Sequence, residues 1–136
     1  MPCPLFEPLV VVTRSEFPGA RLPLLEEYDG NCRATGSPIP APAELRFRCC
    51  NHGYSAGCCP NLPAQETRSA IRFDVTARNA EMLCVLYVEE QDHSPLLWRT
   101  IRYSIAEDTL IPELPSASAQ AQARAFCLSF LRRFAV

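Results

Sequence analysis

Apolar and polar positions follow two different periods in the two halves of the chain. From residue 71 the period is two. Ile71, Phe73 and Val75 alternate with Arg72, Asp74 and Thr76, the pattern of a strand with one dry and one wet face. Arg78-Asn79-Ala80-Glu81 turns the chain, and Met82 to Val88 is nearly all apolar, as suits a central strand. After a polar connection, Glu89 to Pro95, alternation resumes with Leu97, Ile101, Tyr103 and Ile105. Three sequential antiparallel strands are the economical reading. The period then lengthens: Ala119, Ala123, Phe126, Cys127, Phe130, Leu131 and Phe134 recur at steps of three and four. These steps predict an amphipathic helix from about Ser118 to Phe134 that covers the dry face of the meander. Arg132 and Arg133 fall in its last turn, where cations meet the negative end of the helix dipole.

The first half lacks such order. Residues 1–44 read as an irregular arm punctuated by proline, with a short strand expected at Leu9 to Thr13 and a single helical turn at Leu22 to Tyr28, ended by Asp29-Gly30. A short helix is predicted from Pro42 to His52, because proline suits the first helical position and Gly53 can cap the end. Leu45 and Cys49 would share one stripe of it, and Phe47, Cys50 and Tyr54 another. The expectation is an α+β fold in a single domain over residues 1–136. Residues 1–66 form a Pro/Cys-rich arm with a short helix, and residues 67–136 an antiparallel β-meander plus a C-terminal helix.

Composition narrows the function classes. Net charge is −2, only 13 residues are Lys or Arg, and there is no basic run, so neither a nucleic-acid backbone nor an anionic membrane is expected as a partner. No stretch approaches the ~20 apolar residues of a membrane span, and Met1-Pro2-Cys3-Pro4-Leu5-Phe6-Glu7-Pro8 lacks the basic and apolar regions of a signal peptide. A cytoplasmic location follows as an expectation. There clustered cysteines are more often metal-binding or redox-active than structural disulfides.

The chain has 8 cysteines. Cys84 lies in an apolar strand and Cys127 on the helix stripe, and both read as core packing. The other six occupy the first half, four of them in Cys49-Cys50-Asn51-His52-Gly53-Tyr54-Ser55-Ala56-Gly57-Cys58-Cys59-Pro60. Cys3, Cys32, Cys50 and Cys59 are the candidate metal ligands. Cys3 and Cys59 precede proline, as the last cysteine of ferredoxin motifs does. Cys50 opens the loop, whereas Cys49 continues the Leu45 stripe; the pair Cys49 and Cys58 has the same separation as Cys50 and Cys59 and stays open as an alternative. Zinc knuckles place cysteines two to four residues apart, which these do not, so widely spaced single ligands favour an iron–sulfur cluster over a zinc ion. His52 is a possible replacement ligand.

Other readings compete. A disulfide framework would pair Cys50 with Cys59 or Cys32 with Cys49 and demands export. Catalysis by a Cys–His pair finds no suitable geometry, since His52 is two residues from Cys50 and His93 lies in another loop. No nucleophile elbow, phosphate loop or dinucleotide fingerprint is present, so an enzyme is not the favoured class. Glu89, Glu90 and Asp92 read as a solvated hairpin tip more than a hard-cation site. Three function classes remain: an iron–sulfur protein in electron transfer, redox sensing or structural support, a structural zinc module acting as a protein-binding adaptor, and a metal-free ligand- or partner-binding domain.

Cys49-Cys50, Tyr54 and Cys58-Cys59 resemble the small bacterial zinc- or iron-chelating cysteine-cluster proteins, although the close cysteine triplet of that family is missing. The segment from Cys3-Pro4-Leu5-Phe6-Glu7-Pro8 through Cys50-Asn51-His52-Gly53-Tyr54 to the last helix is similar to uncharacterised bacterial proteins with a Cys-Asn-x-Gly-Tyr segment. The resemblance implies metal chelation by thiols and no established activity.

Overall fold

A computed structural model describes residues 2–14, 21–52, 59, 70–91 and 94–134. It contains two antiparallel sheets and a long C-terminal helix, an α+β arrangement. The first sheet is built by β1 (Phe6–Val11), β2 (Tyr28–Cys32) and β3 (Ile39–Pro40) in that order. The second has β4 (Ala70–Arg78), β5 (Met82–Gln91), β6 (Ser94–Ser104) and β7 (Thr109–Ile111), each beside the next. Between the sheets in chain order lies the single α-turn α1 (Ala43–Leu45), and helix α2 (Ala117–Arg133) follows β7.

The meander follows its hydrophobic alternation. Phe73 lies opposite Tyr87, Val85 opposite Ile101 and Leu83 opposite Tyr103, and all six belong to the hydrophobic core or pack against it. The expected three strands are four, because Thr109–Ile111 adds a short edge strand against Arg102 to Ser104. Helix α2 starts where Ser116 accepts the Ala119 amide at 3.0 Å, a side-chain cap for one of the unpaired amides of the first turn. Ala119, Ala123, Phe126 and Cys127 of its stripe are buried, and the Phe126 ring stacks on Phe73 with centroids 5.5 Å apart. Phe134, assigned to the same stripe, is exposed at the helix end.

The arm is more regular than the sequence suggests. Phe6–Val11 and Tyr28–Cys32 pair as antiparallel strands, with Phe6 opposite Cys32 and Pro8 opposite Gly30, and a register shift between Pro8 and Val10. The pairing defeats a prediction from propensity because Pro8, Asp29 and Gly30 are poor strand residues, and it is the partner strand that holds them. Gly30 is required by proximity: a Cβ there would lie 2.0 Å from the Glu7 carbonyl oxygen. The helical turn expected from Leu22 gives way to a turn in which Leu25 takes φ 71° and its amide bonds to the Leu22 carbonyl at 2.9 Å.

The short helix also differs. Ala43–Leu45 is a single α-turn, and Arg46–Asn51 winds as a π-helix ending in a bond from the His52 amide to the Phe47 carbonyl at 2.9 Å. Gly53, expected as its cap, and the loop to Cys58 lie outside the described residues.

Both halves contribute to one core. Cys3, Phe6, Leu24, Tyr28 and Cys50 pack in the same cluster as Ile71, Tyr87, Tyr103 and Phe126. The face of the meander away from α2 is less polar than its alternation implies. Met82, Cys84 and Leu86 are half-buried there, and Trp98 stands 68% exposed. Cys84, expected in the core, sits on this outer face opposite Arg102. Only Cys127 is the fully buried thiol that the helix stripe predicts.

Candidate metal centre

Four thiols from four separate segments converge at one end of the first sheet. Cys3 starts a turn in which the Phe6 amide bonds to the Cys3 carbonyl at 3.0 Å; Pro4 fits this turn because its fixed φ matches the second turn position. Cys32 ends β2, where it faces Phe6 on one side and Ile39 on the other. Cys50 rides the π-helix, and its carbonyl accepts the Cys3 amide at 3.1 Å. Cys59 is half-buried, while Cys3, Cys32 and Cys50 are buried.

Their nearness is felt at Cys50. Burial pushes its thiol up from 9.0 to about 12, and Cys3, Cys59 and Cys32, in that order, push in the same direction, followed by Asp29. A thiolate there would be desolvated and repelled by its neighbours, so the metal-free protein keeps Cys50 protonated at neutral pH. Burial alone raises Cys127 to about 12. Among the described residues no thiol contributes to the Cys127 shift, which separates it from Cys50.

Cys3, Cys32, Cys50 and Cys59 are not disulfide-bonded, so the cystine pairs Cys50–Cys59 and Cys32–Cys49 are not formed. Cys49 is in a disulfide, which removes it as a thiolate ligand. Among the described residues no group of three or more His, Cys, Asp or Glu side chains is arranged to hold a metal ion as it stands. The four thiols are therefore neighbours within electrostatic reach and not a closed cage. Their donor chemistry suits thiophilic metals such as zinc and iron, which take thiolate sulfur readily. Binding would require the side chains to draw together.

Two buried carboxamides that sequence reading passes over flank the site. Asn51 accepts the Tyr28 amide through Oδ1 at 2.8 Å, and its Nδ2 donates to the Tyr28 carbonyl at 2.8 Å and the Arg46 carbonyl at 2.9 Å. It thus pairs with Tyr28 as a neighbouring strand would. Gln122 of α2 donates from Nε2 to the carbonyls of Cys3 at 2.7 Å and Phe6 at 2.8 Å. One signal for Gln122 was available: it lies three residues after Ala119 and four before Phe126, a polar residue on the apolar stripe.

His52 is exposed, its ring 6.0 Å from Phe47. Glu90 pairs with Arg72 at 3.2 Å, Glu89 is buried and accepts the Tyr87 hydroxyl, and Asp92 and His93 lie outside the described residues.

The fold defines a class, an α+β protein, in which Cys3, Cys32 and Cys59 bear electrostatically on Cys50 of the π-helix. No protein-family model matches the chain, and neither the curated proteins nor the solved structures contain a match. No helix among the described residues is long and apolar enough to cross a membrane.

Proposed function

We infer that Cys3, Cys32, Cys50 and Cys59 form the metal-binding centre of this protein and that its cargo is an iron–sulfur cluster held by the four thiolates. One observation carries the reading: the Cys50 thiol is perturbed by the same three cysteines, from three distant segments, that spacing and proline context single out. Single cysteines drawn from separate segments, with no short two-cysteine knuckle among them, suit a larger polynuclear body approached from several directions. Bound there, a cluster would supply one-electron transfer, a redox-sensitive signal or a rigid cross-link. The chain's own residues supply burial, four soft donors and a fixed backbone. Cys3, Cys32, Cys50, Cys59, Cys84 and Cys127 are free thiols, whereas Cys49 is held in a disulfide, so the six free thiols are the ones open to metal.

Elemental analysis of protein purified without oxygen tests the reading. Iron and acid-labile sulfide in a brown preparation are expected. One equivalent of zinc in a colourless preparation would replace it with a structural zinc module that binds a protein partner. Neither metal, in protein with intact thiols, would leave a metal-free binding domain.

A further inference from the structure

We propose that Asn51 and Gln122 are positioning residues that place Cys50 and Cys3 for joint ligation. The proposal rests on the metal-centre reading above but concerns different atoms. Each amide is almost wholly buried, Asn51 at 1% and Gln122 at 0% exposure, and each spends its bonds on the main chain of segments that carry a candidate ligand. Asn51 follows Cys50 directly and grips Tyr28, the residue that opens β2, the strand ending in Cys32. Its third bond, to the Arg46 carbonyl, closes back on the first residue of the π-helix. Asn51 therefore fixes the Cys50 segment against the Cys32 strand.

Gln122 holds the other side. Its Nε2 reaches both ends of the Cys3–Phe6 turn, so α2, the most regular element, fixes the height of the Cys3 backbone. The direct bond from the Cys3 amide to the Cys50 carbonyl joins the two gripped segments. Three cysteine-bearing segments are thus tied through two amides and one main-chain bond.

Folding stability alone does not explain Gln122. Its Oε1 is buried without a hydrogen-bond partner, and an unsatisfied buried acceptor costs about 1–3 kcal/mol. An apolar residue on that stripe would avoid the penalty, but would take the Gln122 donor from the Phe6 carbonyl and leave the Cys3 carbonyl with the Phe6 amide alone. The arrangement resembles the supporting shell of metal sites, where residues that do not touch the metal orient those that do.

The test compares Gln122→Met, which keeps length and removes the amide, with Asn51→Asp, which keeps the acceptor and removes both donors. Zinc alone is the metal probe, its affinity read by competition with a chelator. Alkylation of individual cysteines in the metal-free protein, read by mass spectrometry, is the second measurement. We expect zinc affinity to fall about 10–100-fold, the effect typical of lost supporting residues. Alkylation of Cys3 in Gln122→Met, or of Cys50 in Asn51→Asp, should rise about tenfold while Cys127 stays protected. Unchanged affinity together with unchanged alkylation overturns the proposal, as does a rise at Cys127 in step with the cluster thiols, which marks general loosening. If the wild-type protein takes up neither zinc nor iron, the metal reading fails by itself, and the contrast between cluster thiols and Cys127 still decides the positioning role. The two substitutions lie on separate elements, so a variant that does not fold leaves the other to decide.

Discussion

The Cys3 amide donates to the Cys50 carbonyl at 3.1 Å, so the front of the chain is tied by main chain to the π-helix that carries the adjacent cysteines. This bond, the turn to Phe6 and the Gln122 clasp hold Cys3 in place.

Serine substitutions should separate cluster thiols from core thiols. Cys50→Ser and Cys59→Ser are expected to abolish stoichiometric metal retention, since each removes one of four soft ligands. Cys127→Ser should retain the metal and lower stability by about 1–3 kcal/mol, because a polar hydroxyl replaces a thiol at a fully buried position of the apolar core. Metal content after desalting and denaturant midpoints check both.

Metal affinity should rise with pH. A metal binds the thiolate, and the buried Cys50 thiol stays protonated until about 12 in the metal-free protein, so binding must displace its proton. Zinc competition titrations at successive pH values, with proton release measured in weakly buffered solution, check this. A pH-independent affinity would speak against Cys50 as a ligand.

Stability of the metal-free protein should run the other way. Cys50 and Cys127 titrate near 12 when folded against a usual 9.0. Above the unfolded value the unfolded chain has lost these protons while the folded one retains them, so the slope of unfolding free energy with pH is negative. The contribution is intact below about pH 9 and is lost as pH rises from there through the folded value. Urea unfolding at several pH values under reducing conditions, with metal chelated, reads the decline.

Gly30→Ala should disrupt the N-terminal sheet. The added Cβ would meet the Glu7 carbonyl oxygen at 2.0 Å, backbone that can yield only by parting β1 from β2. We expect a loss of at least about 1–3 kcal/mol, the cost of overpacking, with weakened metal retention because both strands border the cluster. The denaturant midpoint and metal content should fall together.

Tyr28→Phe probes the contact between β2 and α2. The Tyr28 hydroxyl donates to the Ala125 carbonyl at 3.0 Å, meets Ser129 Oγ at 2.6 Å and accepts from Arg132 at 2.7 Å. Its removal should lower stability by about 1–2 kcal/mol through lost hydrogen bonds with buried partners, while metal content holds. Thermal unfolding and elemental analysis together check it.

By itself the sequence determined the elements whose periodicity is local. Ile71 to Val75, the Met82 to Val88 run and the stripe through Ala119, Phe126 and Cys127 each state which face is dry, because burial selects every second or every third and fourth residue. It also placed Cys127 on a packed stripe, where the thiol is fully buried. Tertiary structure alone decided the N-terminal sheet, where Pro8 and Gly30 face one another against their own propensities, and the placing of Cys84 on the outer face of the meander. It alone brought Cys3, Cys32 and Cys59 to bear on Cys50. The placing of Cys3 and Cys32 rests on strand pairing and on the bonds of Asn51 and Gln122. Such contacts join residues far apart along the chain and leave no periodic trace in it.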